Sequence, residues 1–135
     1  MSKSGRYSAD RKKVEALTAS KTLGIESCGT VYTVVGDAAI TINLPDVATA
    51  GKGWWIKVIK TGAASGGQDV TISCTAGDGD AFMGVELSPT HAVMNGDDLV
   101  IEDAANKGTQ VEILCDGTNY HVLAFSVLAA GITIG

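Results

Sequence analysis

The chain has 135 residues, with 17 Gly, 2 Pro, few aromatics and a net charge of −5. That length fits one domain able to bury roughly two-thirds of its unfolded surface, so a core forms without disulfides. The acidic balance excludes nucleic acid as the main ligand, because phosphate contacts need dense Lys and Arg.

The charge is unevenly placed. Residues 1–13 carry Lys3, Arg6, Arg11, Lys12 and Lys13 against Asp10, for +4, and residues 14–135 sum to −9. A basic N-terminal arm, 1–13, therefore precedes an acidic body, 14–135. The arm reads either as a solvated leader or as a contact for an acidic protein surface or nucleic acid. Its sequence, MSKSGRYSADRKK, lacks the apolar core of a secretory signal, and no apolar run reaches membrane-span length. The expectation is a soluble protein made in the cytoplasm.

Residues 14–19, VEALTA, fit a short helical turn or a first edge strand. Val31–Val35 is rich in β-branched residues and stops at Gly36-Asp37. Ala39–Leu44 alternates, with Ile40, Ile42 and Leu44 on one face, and ends at Pro45. Residues 46–53 read as a loop. Trp54–Lys60 follows as a strong strand: Trp54 groups with Ile56 and Val58, and Trp55 with Lys57 and Ile59. The second set is either an interface-bearing outer face or a second buried one. The Gly-rich segment 61–67 is a connection without the Gly-Lys-Ser/Thr ending of a phosphate loop.

Val70–Cys74 alternates again. Weaker strands follow at Phe82–Leu87 and His91–Met94, then a turn at Asn95-Gly96 and strands at Leu99–Ile101, Val111–Cys115, Tyr120–Phe125 and Ile132–Ile134. Strands at this spacing, without a long amphipathic helix, predict an all-β domain: an antiparallel β-sandwich or a jelly-roll or barrel-like fold. The pair Thr-Ile recurs at 41–42, 71–72 and 133–134, at intervals too unequal to define a repeat.

The stretch CDGTNYHV, 115–122, gathers a thiol, a carboxylate and an imidazole. With Asp116-Gly117 as a two-residue hairpin loop, Cys115 lies opposite Thr118 and Glu112 opposite His121. Cys115 and His121 then point to opposite faces, which argues against a cysteine–histidine nucleophile pair. Cys28, Cys74 and Cys115 are too far apart in sequence for a zinc knuckle and read as buried free thiols. Asp78 and Asp80 could hold Ca²⁺, but Pro89 stands where the twelfth-position Glu of an EF-hand would be, so an acidic turn is the plainer reading. His91 is isolated, and no GxSxG is present. The residues suggest no metal, no cofactor and no catalytic set.

Two stretches, 17–45 and 107–135, resemble small bacteriophage and prophage structural proteins, the head decoration or cement proteins. The shared pattern is Leu17-Thr18, Gly29, Tyr32, Thr41 and Leu44-Pro45 at one end. At the other it is Gly108, Val111-Glu112, Asp116–Tyr120 and Gly131–Thr133. Cys28 and Cys115 stand where small polar residues are more usual, and Ala130 where a second Gly is common. The resemblance implies a virion protein made in the host cytoplasm. It would dock on the outer face of the head, often as a trimer, and reinforce contacts between major capsid protein subunits. The arm residues Arg6, Tyr7, Arg11, Lys12 and Lys13 are the expected capsid contacts, and Trp55, Ile132 and Ile134 the expected self-association residues. The rival is a carbohydrate- or receptor-binding module of a tail or head fibre, with Trp55 stacking on a sugar. A hydrolase using Cys115 or Cys74 ranks third.

Overall fold

The computed structural model describes residues 11–62, 68–74, 82–89 and 92–134. The strands are β1 (Lys13–Leu17), β2 (Lys21–Thr22), β3 (Thr30–Val34), β4 (Ile40–Leu44), β5 (Trp55–Lys60) and β6 (Val70–Cys74). They continue as β7 (Phe82–Leu87), β8 (Ala92–Gly96), β9 (Asp98–Ile101), β10 (Gln110–Cys115), β11 (Tyr120–Phe125) and β12 (Ile132–Ile134). A single helical turn, α1 (Val47–Ala50), interrupts the segment expected to be a loop; Asp46 caps it, Oδ1 accepting from Thr49 N at 2.6 Å. The open choice at residues 14–19 resolves as an edge strand. Asn95-Gly96, expected as a turn, ends β8, and the chain bends at Asp97 instead.

Among the described residues the strands form two packed sheets, a sandwich as the patterns predict. The larger runs β1-β3-β5-β10-β11-β7-β8 and the smaller β12-β9-β6-β4-β2. The ladders are mixed rather than purely antiparallel: β1–β3, β3–β5, β2–β4, β4–β6 and β7–β11 are parallel. Alternation reports that a strand is half-buried but not its direction. The first six strands cross from sheet to sheet at every step, so each strand of one sheet serves as the crossover that parallel neighbours in the other require.

This winding aligns the scattered Thr-Ile pairs. Thr41 lies beside Thr71, Thr71 beside Val100, and Val100 beside Thr133. The isoleucines that follow point inward to Leu99 and the core. The smaller sheet thus shows solvent a face of Thr41, Asn43, Thr71, Ser73 and Thr133.

Between the sheets, Ile42, Ile56, Ile72, Leu99 and Ile113 are fully buried, each contributing about 1.5–3 kcal/mol of hydrophobic stabilisation. Tyr120 packs against Trp54 and Phe82 with ring centroids 5.9 and 5.8 Å apart. Its hydroxyl donates to Pro45 O at 2.5 Å, tying β11 of the larger sheet to the end of β4 in the smaller. Burial pushes its phenol well above the ordinary range, with Cys115, Cys74 and Asp46 adding to the shift. Lys60 faces inward too, its stem in the sandwich and its ammonium donating to Asp103 O at 2.6 Å and Glu102 O at 3.3 Å.

Candidate docking face

Side chains alternate across each strand, so the buried set of a strand fixes which residues its other face shows. On β10 and β11, Val111, Ile113, Cys115, Tyr120, Val122 and Ala124 go inward. That sends Leu114, Leu123 and Phe125 outward with Glu112 and His121.

β7 completes the surface, and it does so against its own sequence. Met83, Val85 and Leu87 point out, while Phe82, Gly84 and Glu86 point in. A strand folding for its own sake would bury the Met-Val-Leu set and expose the Glu. Instead Glu86 is 1 % exposed, and its Oε1 has no hydrogen-bond partner among the described residues. Gly84 fixes this orientation: a Cβ there would stand 1.9 Å from Val122 O on the neighbouring strand. A one-residue slip would bring a bulky side chain to that spot.

The outcome is a contiguous apolar surface. Met83, Val85, Leu87, Leu114, Leu123 and Phe125 are each 36–48 % exposed, and Val127 beyond them is 75 % exposed. Together they expose on the order of 500 Å² of apolar area, at the upper end of the largest patch on a typical monomer. Trp55 lies next to Leu114 in the ladder, half-buried, with Ile56 and Val58 on the opposite, core face. Lys12 Nζ sits 5.6 Å from the Trp55 ring centroid, a cation–π approach. A shallow depression of about 350 Å³ is lined by Trp55, Glu112, Leu114, His121 and Leu123. The sequence reading singled out only the Trp55 edge of this surface, as a candidate interface. The signal for the rest is the apolar set at alternate positions 83, 85 and 87 beside those at 123 and 125.

The hairpin at 115–122 differs in register from expectation. The loop has four residues, Asp116–Asn119, so Cys115 pairs with Tyr120, Leu114 with His121 and Glu112 with Leu123. The Asp116 side chain is the reason: Oδ1 accepts from Thr118 N and Asn119 N, both at 2.7 Å, and draws those residues into the turn. The shift is two positions, so every side chain keeps its predicted face, Cys115 inward and His121 outward. His121 Nε2 meets Asp116 Oδ2 at 2.6 Å rather than Glu112. The Asn119 amide, His121 and the Thr118 amide lower the Asp116 carboxyl to about 2. Cys115 Sγ lies 3.6 Å from Val47 O, on the other side of the ribbon from the imidazole.

The other predicted residues scatter. Arg6, Tyr7, Asp78, Asp80 and His91 lie outside the described residues. Arg11 and Lys12 are exposed ahead of β1, and Lys13 belongs to β1 itself, 4.0 Å from Glu15 Oε2. Glu15 also pairs with Lys21 at 2.6 Å, which lowers the carboxyl and raises the amine. Ile132, expected at a subunit contact, is 2 % exposed in the chain's own core because β12 pairs with β9; Ile134 is partly buried against the same core. Cys74 and Cys115 are buried thiols, but Cys28 is exposed, contrary to expectation, because it follows a 3-10 turn (Ile25–Ser27) at the surface. Among the described residues no three His, Cys, Asp or Glu side chains converge as a metal site, and no helix is long and apolar enough to cross a membrane. Compared with family models, curated proteins and solved structures, the chain matches none.

Proposed function

We propose that this chain is a structural protein that acts by adhesion: a capsid decoration protein of a phage head that docks on the shell's outer face and reinforces contacts between major capsid protein subunits. The observation that carries the adhesive reading is the orientation of β7, which spends Met83, Val85 and Leu87 on the surface and Glu86 on the core. Burying a carboxyl oxygen without a hydrogen-bond partner costs folding free energy, and covering the apolar surface with another protein returns it. The assignment to a phage head comes from the resemblance at residues 17–45 and 107–135. The basic segment that includes Arg11 and Lys12 leads into the same face over Trp55, so arm and face engage neighbours together. Linking two weak contacts raises the effective concentration of the second, and avidity exceeds either alone.

A sugar-binding platform would need an open Trp ring beside polar loops. The ring of Trp55 carries Lys12 over it and has Leu114 as its ladder neighbour. Co-sedimentation of the purified chain with phage shells stripped of decoration tests the proposal. Saturable binding is expected, weakened by removing residues 1–12. Absence of binding to any such shell refutes it.

A further inference from the structure

The larger sheet's outer face carries a chemical palindrome. One row crosses the sheet in register: Val14, Val31, Lys57, Glu112, Leu123, Val85 and, on the edge strand β8, Val93. Over its first six strands it reads from either end apolar, apolar, charge, charge, apolar, apolar, and the two charges are opposite; β8 overhangs the pattern. The midpoint falls between β5 and β10. Lys57 and Glu112 lie side by side there, yet neither forms an ion pair with another described residue.

We infer that this face seats a second copy of the same chain, packed sheet on sheet about a two-fold axis that runs along the strands between β5 and β10. A two-fold there sets Lys57 against Glu112 of the second copy, and Glu112 against its Lys57. Two central charges that would be stranded under an apolar interface are then paired twice over. The same operation lays Val14, 63 % exposed, on Val85 of the second copy; Val31, which falls opposite Leu123, is only 6 % exposed and adds little area. In the rows on either side, Trp55 meets Leu114 of the second copy, and Thr33 meets Phe125. Aligned sheets pack about 10 Å apart with interdigitating side chains, which suits these lengths.

Area agrees with this occupant. The exposed apolar patch, with Trp55, Ile59 and the stems of Lys57 and Glu112, comes to roughly the 800 Å² per partner of a standard interface. The smaller sheet's face of Thr, Ser and Asn carries no comparable patch among the described residues. Two-fold pairing also departs from the trimer that the family resemblance implies, so mass decides between them.

The inference rests on the adhesive reading, but it is tested without any shell. The full chain at micromolar concentration is expected to sediment at twice its 13.8 kDa. Lys57→Glu and Glu112→Lys, each alone, place like charges across the axis and weaken pairing by roughly tenfold or more. Mixed together, the two variants restore opposite charges at both contacts and form a heterodimer. That outcome separates contact between copies from the neighbouring of Lys57 and Glu112 within one chain. Circular dichroism verifies that each variant is folded; should either not fold, the Leu123→Asp chain, expected to be monomeric, takes its place. A monomeric or trimeric wild type, or a folded mixture that stays monomeric, overturns the two-fold. A monomer that still binds shells would leave the adhesive reading standing; a dimer that binds none would sink that reading alone.

Discussion

Tyr120→Phe removes one oxygen from the centre of the sandwich and leaves the ring. The ring keeps its contacts with Trp54 and Phe82, so the hydrophobic term hardly changes. What goes is the 2.5 Å bond from the hydroxyl to Pro45 O, the link between β11 and the turn after β4. The carbonyl of the half-buried Pro45 is left without that donor, at a cost of about 1–3 kcal/mol. For a domain of this size that lowers Tm by roughly 3–10 °C. Urea unfolding of both proteins, monitored by tryptophan fluorescence, gives the difference; m should be unchanged, since the exposed area is the same. A stability change below about 0.5 kcal/mol would refute the reasoning, because the bond would then add no more than the water it displaced.

Other outcomes follow from single positions. Gly84→Ala puts a methyl 1.9 Å from the Val122 carbonyl, which is main chain and cannot turn aside; the variant should lose at least about 3 kcal/mol in urea unfolding or fail to fold. Ala130 has φ 55°, so Ala130→Gly should gain about 0.5–1 kcal/mol once the greater freedom of unfolded glycine is subtracted. A charged aromatic disulfide reagent should label one thiol, Cys28, in the native protein and all three after unfolding; fast native labelling of Cys115 would contradict its burial. The Asp116 carboxyl, followed by carbon NMR, should titrate at about 2 instead of 3.8. Because its folded value is depressed, its contribution to stability is complete above 3.8 and is lost as pH falls toward 2.

The sequence already showed the strands and most of their faces. Val70–Cys74 and Tyr120–Phe125 alternate cleanly, and the structure buries the residues that alternation selects. The division of the Trp pair held for the same reason, Trp54 inward and Trp55 outward. Strand direction was not legible, because β3 and β5 are neighbours across a long excursion into the other sheet, and no local signal marks that. The hairpin register was missed by two because a side chain, Asp116, set the loop length; the faces survived since two is the period of a strand. Ala130 has a positive φ, a conformation that favours glycine, and nothing in the local sequence marks that strain. The β7 part of the docking face was not legible, because Met83, Val85 and Leu87 and the intervening Phe82, Gly84 and Glu86 give no sequence signal for which set meets the core.

The rule that the more apolar face turns inward fails at β7 in a way that carries meaning. Periodicity reports two faces and cannot say which one meets the core; burial normally decides in favour of the more apolar. At β7 the decision is reversed by Gly84, whose missing side chain is required where β7 crosses close to Val122, and that requirement drags Glu86 inside with it. A chain evolving as a solitary monomer could recover stability simply by Glu86→Met and Val85→Thr, with no change of backbone. The present residues do the opposite at both positions: they weaken the isolated fold and enlarge the apolar surface beside Leu123 and Phe125. Such a choice supports the proposed covering of that surface, and this is why β7, rather than the Trp or the cysteines that first draw the eye, carries the adhesive proposal.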